Sequence, residues 1–396
     1  MARTDVSRVA GVTSTGSKRP GVIYGGPADG APERMTRSQG CHVWDADGRE
    51  YLDWHMGLGS VALGYAHPVV TSAVQAAAAR GVTGPLPPVE EEELASRLVT
   101  LLPWVDQVRF LKTGAEAVAA GVRLARVFTG RDRVLGCGYH GWLDWCSQEG
   151  EGVPDAIRAL YGTISFNDPD AARETIRRLG RDLAAVVVEP VVDAPPSPEW
   201  FRVLRQETEA VGALLILDEI KTVGRVAPGG AVERWGGGVT PDLVVLGKAF
   251  ANGFPLAAVG GRAEVMETVH RTWISSTLAT ESVSLAAALA TLEVMEIDHV
   301  PAHLARIGGL LYAGFLDLAG RRPDLIENVP GIAEMCWVRW RNEGVSRRVT
   351  IEMARRGILL KRSAYNFVSL AHDSAQVERT LGALDEVAQA LHERRA

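Results

Sequence analysis

The chain has 396 residues, 46% of them hydrophobic and 23% charged, with a formal net charge of −6. That length predicts two lobes rather than one small domain, and the acidic balance, with no basic stripe to offset it, argues against a nucleic-acid surface. No apolar run is long enough to span a bilayer, and the cysteines at positions 41, 137, 146 and 336 fit neither a zinc pattern nor a disulfide framework, so a reducing cytosol is expected and a metal site is not.

Met1 to Gly30 is rich in Gly, Ser, Thr and Pro, lacks a signal-peptide core, and is expected to fray or wrap the surface. His42–Trp44 and Tyr51–Asp53 flank Asp45-Ala46-Asp47-Gly48, a hairpin signal. From Glu90 to Leu102 an acidic start and apolar residues at helical spacing predict a helix that Pro103 stops. Ala115 to Phe128 places Val118, Val122, Leu124, Ala125 and Phe128 near one helical face, with Gly130 as terminator. Val- and Leu-rich runs without strict alternation follow at Arg133–Cys137, Ala184–Val188, Ala213–Leu217, Leu243–Leu246 and Ala257–Val259; they predict strands covered on both faces. Helical patterns at Asp170–Leu179 and Pro198–Val211 fall between them. From about Pro301, amphipathic helices mix with short strands at Met335–Trp340 and Phe367–Leu370. The arginine pairs Arg347-Arg348 and Arg394-Arg395 read as solvated spots. The whole is an α/β pattern: a large domain over residues 61–300 with a mainly parallel central sheet, and a small α+β domain built from both termini, residues 1–60 and 301–396.

An acid ends one of these apolar runs and a lysine ends the next. Asp218 follows Ala213–Leu217, and Lys248 follows Val244-Val245-Leu246-Gly247. A buried carboxylate needs a partner, and a lysine among apolar walls or other cations loses its charge more readily than a surface one. The pair suits pyridoxal phosphate, with the lysine holding the aldehyde as a Schiff base. The acid would pair with the pyridinium nitrogen and keep the ring an electron sink. A structural salt bridge for Asp218 and a solvated position for Lys248 are the alternatives. Glu189, in Val-Val-Glu-Pro-Val, ends another apolar strand and by the same logic points into the same cleft.

Thr113-Gly114-Ala115-Glu116-Ala117 reads equally as a helix cap and as a phosphate cradle at a helix start. Tyr139-His140-Gly141-Trp142 directly follows a strand, where an aromatic ring can stack on a flat cofactor; a packed loop aromatic is the alternative. His140 reads as a supporting hydrogen-bonder rather than a catalyst. Ile220 follows the acid by two residues and could pack on the ring face opposite Tyr139.

Further pieces complete an ordered set: Gly40-Cys-His-Val-Trp-Asp-Ala-Asp-Gly-Arg-Glu-Tyr-Leu-Asp53, Leu63-Gly-Tyr-Ala-His-Pro68, Arg123-Leu-Ala-Arg126 with Thr129-Gly-Arg131, Glu189-Pro190, Asp218-Glu219, Gly247-Lys248 and Gly260-Gly261. In this order and spacing the chain, from about Thr36 to its C-terminus, resembles the class III pyridoxal-phosphate-dependent aminotransferases of fold type I. It is nearest the branch of glutamate-1-semialdehyde aminomutase. The resemblance implies an enzyme that moves an amino group between an amine donor and an aldehyde or keto acceptor; an aminomutase, transferring it within one molecule, is the alternative. It makes Lys248 the Schiff-base lysine and Asp218 the partner of the pyridine nitrogen. Tyr139 and Ile220 take the two ring faces, and Gly114 and Ala115 offer N–H groups to the phosphate beside Thr113. Thr277, in Ser275-Ser-Thr-Leu-Ala-Thr280, resembles the threonine that reaches the phosphate from the neighbouring subunit, which implies a homodimer with shared active sites.

The departures are specific. The family's cradle usually reads Ser-Gly-Thr/Ser-Glu-Ala, and Ala115 lacks that hydroxyl. The segment after the acid usually reads Val-x-Thr-Gly-Phe-Arg; here it is Ile220-Lys-Thr-Val-Gly-Arg225. The stretch Trp54-His-Met-Gly-Leu-Gly59 also differs. Trp54, His55, Trp142 and Trp145 could wall an aromatic pocket or belong to the core or a dimer interface. Arg362 is a candidate for holding a substrate carboxylate.

Overall fold

Seven strands of the larger unit lie in one sheet. The computed structural model describes residues 7–148 and 151–393, so the Arg394-Arg395 pair lies outside the described residues. The chain divides into two units, a larger one of residues 59–63 and 67–304, and a smaller one of residues up to 58, 64–66 and from 305 onward.

In the larger unit α1 (Pro68–Arg80) and α2 (Val89–Leu101) precede β1 (Gln107–Leu111), α3 (Gly114–Thr129), β2 (Arg133–Cys137) and β3 (Tyr161–Thr163). Then come α4 (Pro169–Leu179), β4 (Leu183–Val188), α5 (Pro198–Val211), β5 (Leu214–Asp218), β6 (Leu243–Leu246), β7 (Ala257–Gly261) and α6 (Ser282–Ile297). The strand order is β1-β7-β6-β5-β4-β2-β3. β7 pairs antiparallel with both β1 and β6, while the pairs from β6 through β3 are parallel. β1 therefore runs in the same direction as the parallel strands.

The apolar runs of β4 and β5 are buried along their whole length. On one face Ala185, Val187, Leu214 and Ile216 pack with Val118 and Val122 of α3. On the other, Val186, Val188, Leu215 and Leu217 pack with Ile176 of α4 and Trp200 and Leu204 of α5. Helices on both faces remove the need for polar alternation, which is why these strands read as continuous Val/Leu runs. Each fully buried Leu or Val contributes about 1.5–3 kcal/mol relative to exposure. Helix ends are set locally. Ser197 accepts the Trp200 N–H at 3.2 Å at the start of α5, and Gly212, at φ 71°, closes it in the left-handed region.

The smaller unit holds an antiparallel meander of Met35–Gln39, His42–Asp45 and Glu50–Asp53, extended by Ile358–Leu359 pairing parallel to the last. The hairpin turns because Asp45 Oδ1 accepts both the Asp47 and Arg49 N–H groups at 2.9 Å and Gly48 takes φ 78°. From Pro20 the N-terminal segment wraps: Tyr24, Ala28 and Ala31 are buried with Ile351 and Ala354, and the Tyr24 hydroxyl donates to the Pro32 carbonyl at 2.8 Å. The expected strand Met335–Trp340 is instead two short ones, Met335–Cys336 and Arg339–Trp340, in different sheets. The run breaks where the Trp337 N–H turns to the Pro330 carbonyl at 3.1 Å. The second expected strand, Phe367–Leu370, shares only Phe367 with the observed strand Asn366–Phe367. Among the described residues no helix is long and apolar enough to cross a membrane.

Candidate active site

Parallel strands deliver their carboxyl ends to one edge of a sheet, and whatever follows those ends is brought together there. Here β1 is followed by Lys112-Thr113-Gly114, β2 by Gly138-Tyr139-His140, β4 by Glu189, and β6 by Gly247-Lys248; β5 ends on Asp218 itself. The structure thus gathers residues from five separate stretches of chain.

Asp218 is 2% exposed. Its Oδ2 accepts the Nδ1–H of the buried His140 at 2.8 Å, and its Oδ1 accepts the Ile220 N–H at 3.3 Å. His140 Nε2 is buried without a hydrogen-bond partner. The carboxylate makes Nδ1 the protonated nitrogen, so the imidazole serves to orient Asp218. Glu189 bridges two elements: its Oε2 accepts the Tyr139 N–H at 2.9 Å, and its Oε1 lies 2.9 Å from the Lys221 ammonium. Gly138, at φ 100°, admits no side chain there, because a Cβ would fall 2.4 Å from Glu189 Oε2.

Lys248 opens a short 3-10 turn, Lys248–Ala251, with φ 49°. A lysine in the left-handed region is uncommon and points to a constrained site. Asn252 holds the turn from behind: its Oδ1 accepts the Ala62 and Leu63 N–H groups at 3.0 and 2.9 Å. Burial first, then the neighbouring Lys221 charge, pull the Lys248 amine down to about 8, with Arg225 adding to the effect and Glu189 and Asp218 opposing it. Arg225 is fully buried and donates to the Gly59 carbonyl at 3.0 Å.

At the start of α3 the cap is made. The Thr113 hydroxyl accepts the Glu116 N–H at 3.2 Å, and Glu116 Oε2 accepts the Thr113 N–H at 2.9 Å. That spends the Thr113 side chain on the helix and leaves the Gly114 and Ala115 N–H groups, which no helical carbonyl can reach, as the donors for an anion. Ile220 sits between this helix start and the Lys248 turn. A Cβ on Gly114 would lie 2.6 Å from Ile220 Cδ1, and one on Gly247 3.3 Å from Ile220 Cγ2. The Tyr139–Trp142 loop closes onto the same point, since a Cβ on Gly141 would fall 2.5 Å from the Ala115 Cβ.

Tyr139 is 72% exposed. Thr277 is exposed in the turn before α6. Both ends of that turn are tied to β1 and its extension: Arg109 Nε donates to the Ile274 carbonyl at 2.8 Å, and Lys112 pairs with Glu281 at 2.6 Å. The pocket-wall reading fails for two tryptophans. Trp145 is buried, stacked on His140 at 6.1 Å and edge-on to Tyr161 at 5.6 Å. Trp54 is sealed in the smaller unit, stacked on His372 at 4.1 Å and donating to Thr380 Oγ1 at 3.0 Å. His55, in the same unit, is held below its usual range by burial. Arg362 is already engaged, paired with Glu343 and donating to the Val22 carbonyl at 3.3 Å. Lys221 and Arg225 are the charged groups of this edge that sequence reasoning passed over. Their one signal is that both fall within the irregular segment after Asp218.

These groups fit pyridoxal phosphate. A buried carboxylate could pair with the ring nitrogen, an amine near neutrality could take the aldehyde, and a helix start with two open N–H groups could receive the phosphate. The comparisons agree. The Aminotransferase class-III profile matches residues 27–387. A glutamate-1-semialdehyde 2,1-aminomutase of Thermus thermophilus is 36% identical, over 90% of this chain and 92% of its own length. Among solved structures, the FumI protein of Sphingopyxis sp. MTA144 in its pyridoxal phosphate form superposes with a TM-score of 0.90 at 26% identity, covering 98% of this chain and 94% of that one. An omega-transaminase from Sphaerobacter thermophilus does so at 0.81 and 28% identity, covering 90% of each. The chain belongs to the class III aminotransferase family, enzymes of fold type I whose cofactor is pyridoxal phosphate.

Proposed function

We propose that the protein is an aminotransferase that moves an amino group from a small-molecule amine to an aldehyde or keto acceptor. The observation that carries this reading is the Lys248 amine, drawn down to about 8, at the same sheet edge as the buried Asp218. Pyridoxal phosphate, when bound, supplies the aldehyde that takes up the amine and the ring that accepts electrons from the substrate α-carbon. Asp218, oriented by His140, gives the ring nitrogen an anionic partner that keeps it protonated. Gly114 and Ala115, at the helix start that Thr113 caps, would offer their N–H groups to the phosphate, and Tyr139 and Ile220 would bracket the ring. Glu189 holds the Tyr139 backbone. Lys248 would hold the aldehyde, and its amine would be the group placed to take a proton at the substrate α-carbon.

An aminomutase is the second reading, favoured by the 36% identity to the Thermus enzyme against 28% for the omega-transaminase. The same side chains serve both reactions. A donor-and-acceptor panel separates them: turnover that requires both partners supports the aminotransferase. Consumption of glutamate 1-semialdehyde alone, with no added acceptor, overturns it in favour of the mutase.

The active enzyme is a homodimer in this reading. Trp273, 80% exposed, and the exposed Leu278 flank Thr277, and Tyr139 and Trp142 add two more exposed aromatic rings. Large apolar side chains left open in this way suit cover by a second copy, whose Thr277 would complete the phosphate site. The four cysteines are free thiols, in keeping with a reducing, cytoplasmic setting.

A further inference from the structure

Lys221 is the second lysine at this edge, and its surroundings are not those of a surface lysine. It closes the short turn Glu219–Lys221 directly after β5, and its side chain is buried. Its ammonium lies 2.9 Å from Glu189 Oε1, while Glu189 Oε2 takes the Tyr139 N–H at 2.9 Å. One chain of polar contacts therefore runs from the end of β5, through the end of β4, to the loop after β2. The Glu219–Lys221 turn also packs against the Lys248–Ala251 turn, with Ile220 against Gly247.

A buried ion pair adds little stability over an apolar pair of the same volume, so the retention of two charges here calls for another role. We propose that Lys221 is a positioning residue of the Lys248 site: its ammonium holds Glu189 in the orientation that fixes the Tyr139–His140 loop, and places a positive charge beside the Lys248 turn. The proposal rests on the reading of Lys248 as the cofactor lysine. The groups that face Lys248 are Lys221 and Arg225, both cationic, and Glu189 and Asp218, both anionic. Helix α6, packed on the same turn, buries the neutral Ser284, Ala287 and Thr291 and leaves Glu293 and Glu296 exposed. Lys221 is the largest of the charge effects on the amine and Glu189 opposes it, so removing either member displaces the balance in opposite directions.

The test uses the holoenzyme and two readouts besides turnover: the pH dependence of the visible absorbance of the bound cofactor, and hydrogen exchange across Gly138–His140. Lys221→Met removes the cation and is expected to raise the absorbance transition by about one pH unit. Exchange at the Tyr139 amide should quicken about tenfold as Glu189 loses its anchor. Lys221→Arg keeps the charge and should restore both. Glu189→Gln removes the anion and should lower the transition. Transitions that stay put, or move the same way in Lys221→Met and Glu189→Gln, overturn the proposal. If Lys221→Met does not fold, an unmoved or raised transition in Glu189→Gln overturns it alone. Borohydride reduction of the wild-type holoenzyme keeps the two failures apart: pyridoxyl on the Lys248 peptide with unmoved transitions sinks the Lys221 proposal only, whereas its absence sinks the reading beneath it.

Discussion

Lys248 stands among two cations and two anions in a place where its own charge is poorly solvated. The amine is a cation in the folded protein only below about 8, whereas an unfolded lysine stays protonated to about 10.4. Between those values the unfolded chain binds more protons, so stability rises with pH across that window. The penalty for burying the charged lysine is fully present below the window and gone above it. Urea unfolding of the cofactor-free protein should show this rise in wild type and lose it in Lys248→Met; identical pH profiles would contradict the burial argument. Lys248 and Asp218 were legible in the sequence because each breaks an apolar run at its end. Lys221 was not, because its partner Glu189 follows the preceding strand and only the β5-β4 pairing brings them into contact. Trp142 and Trp145 show the same limit. They are neighbours in sequence, yet Trp142 is exposed and Trp145 buried, and nothing in their local residues distinguishes them.

At the scale of elements, the ends of helices and strands carry the chemistry. The capping box at Thr113 and Glu116 fixes where α3 begins, and so where the Gly114 and Ala115 N–H groups point. Thr113→Ala should cost about 1 kcal/mol of stability by urea unfolding, and it should weaken cofactor retention on dialysis as the helix start frays. Full retention with the stability loss would confine Thr113 to its cap. The long elements were readable because signals at their ends agree with the pattern inside them. Pro198 and Gly212 bound α5, and Gly130 bounds α3. The two-residue strands of the smaller unit are too short to show a period, and their pairing depends on partners far along the chain.

At the scale of the whole molecule, the site is a property of the sheet: five strand ends converge only because β7 alone runs against the others. The proposed second copy would close what one chain leaves open around Thr277. Replacing Leu278 with Asp and Trp273 with Ser should shift sedimentation from dimer toward monomer and lower activity in step, through loss of the partner's threonine. A dimer that persists in the double variant would place the interface elsewhere. The exposed aromatics were not legible as a surface, since Trp273, between Thr272 and Ile274, and Tyr139, between Gly138 and His140, carry no local pattern that separates an open ring from a packed one.

The most direct test of the central claim is borohydride reduction of the holoenzyme followed by peptide mass spectrometry. Pyridoxyl attached to the peptide containing Lys248 is the predicted result. Bound pyridoxal phosphate with the label on another lysine, or on none, would contradict it.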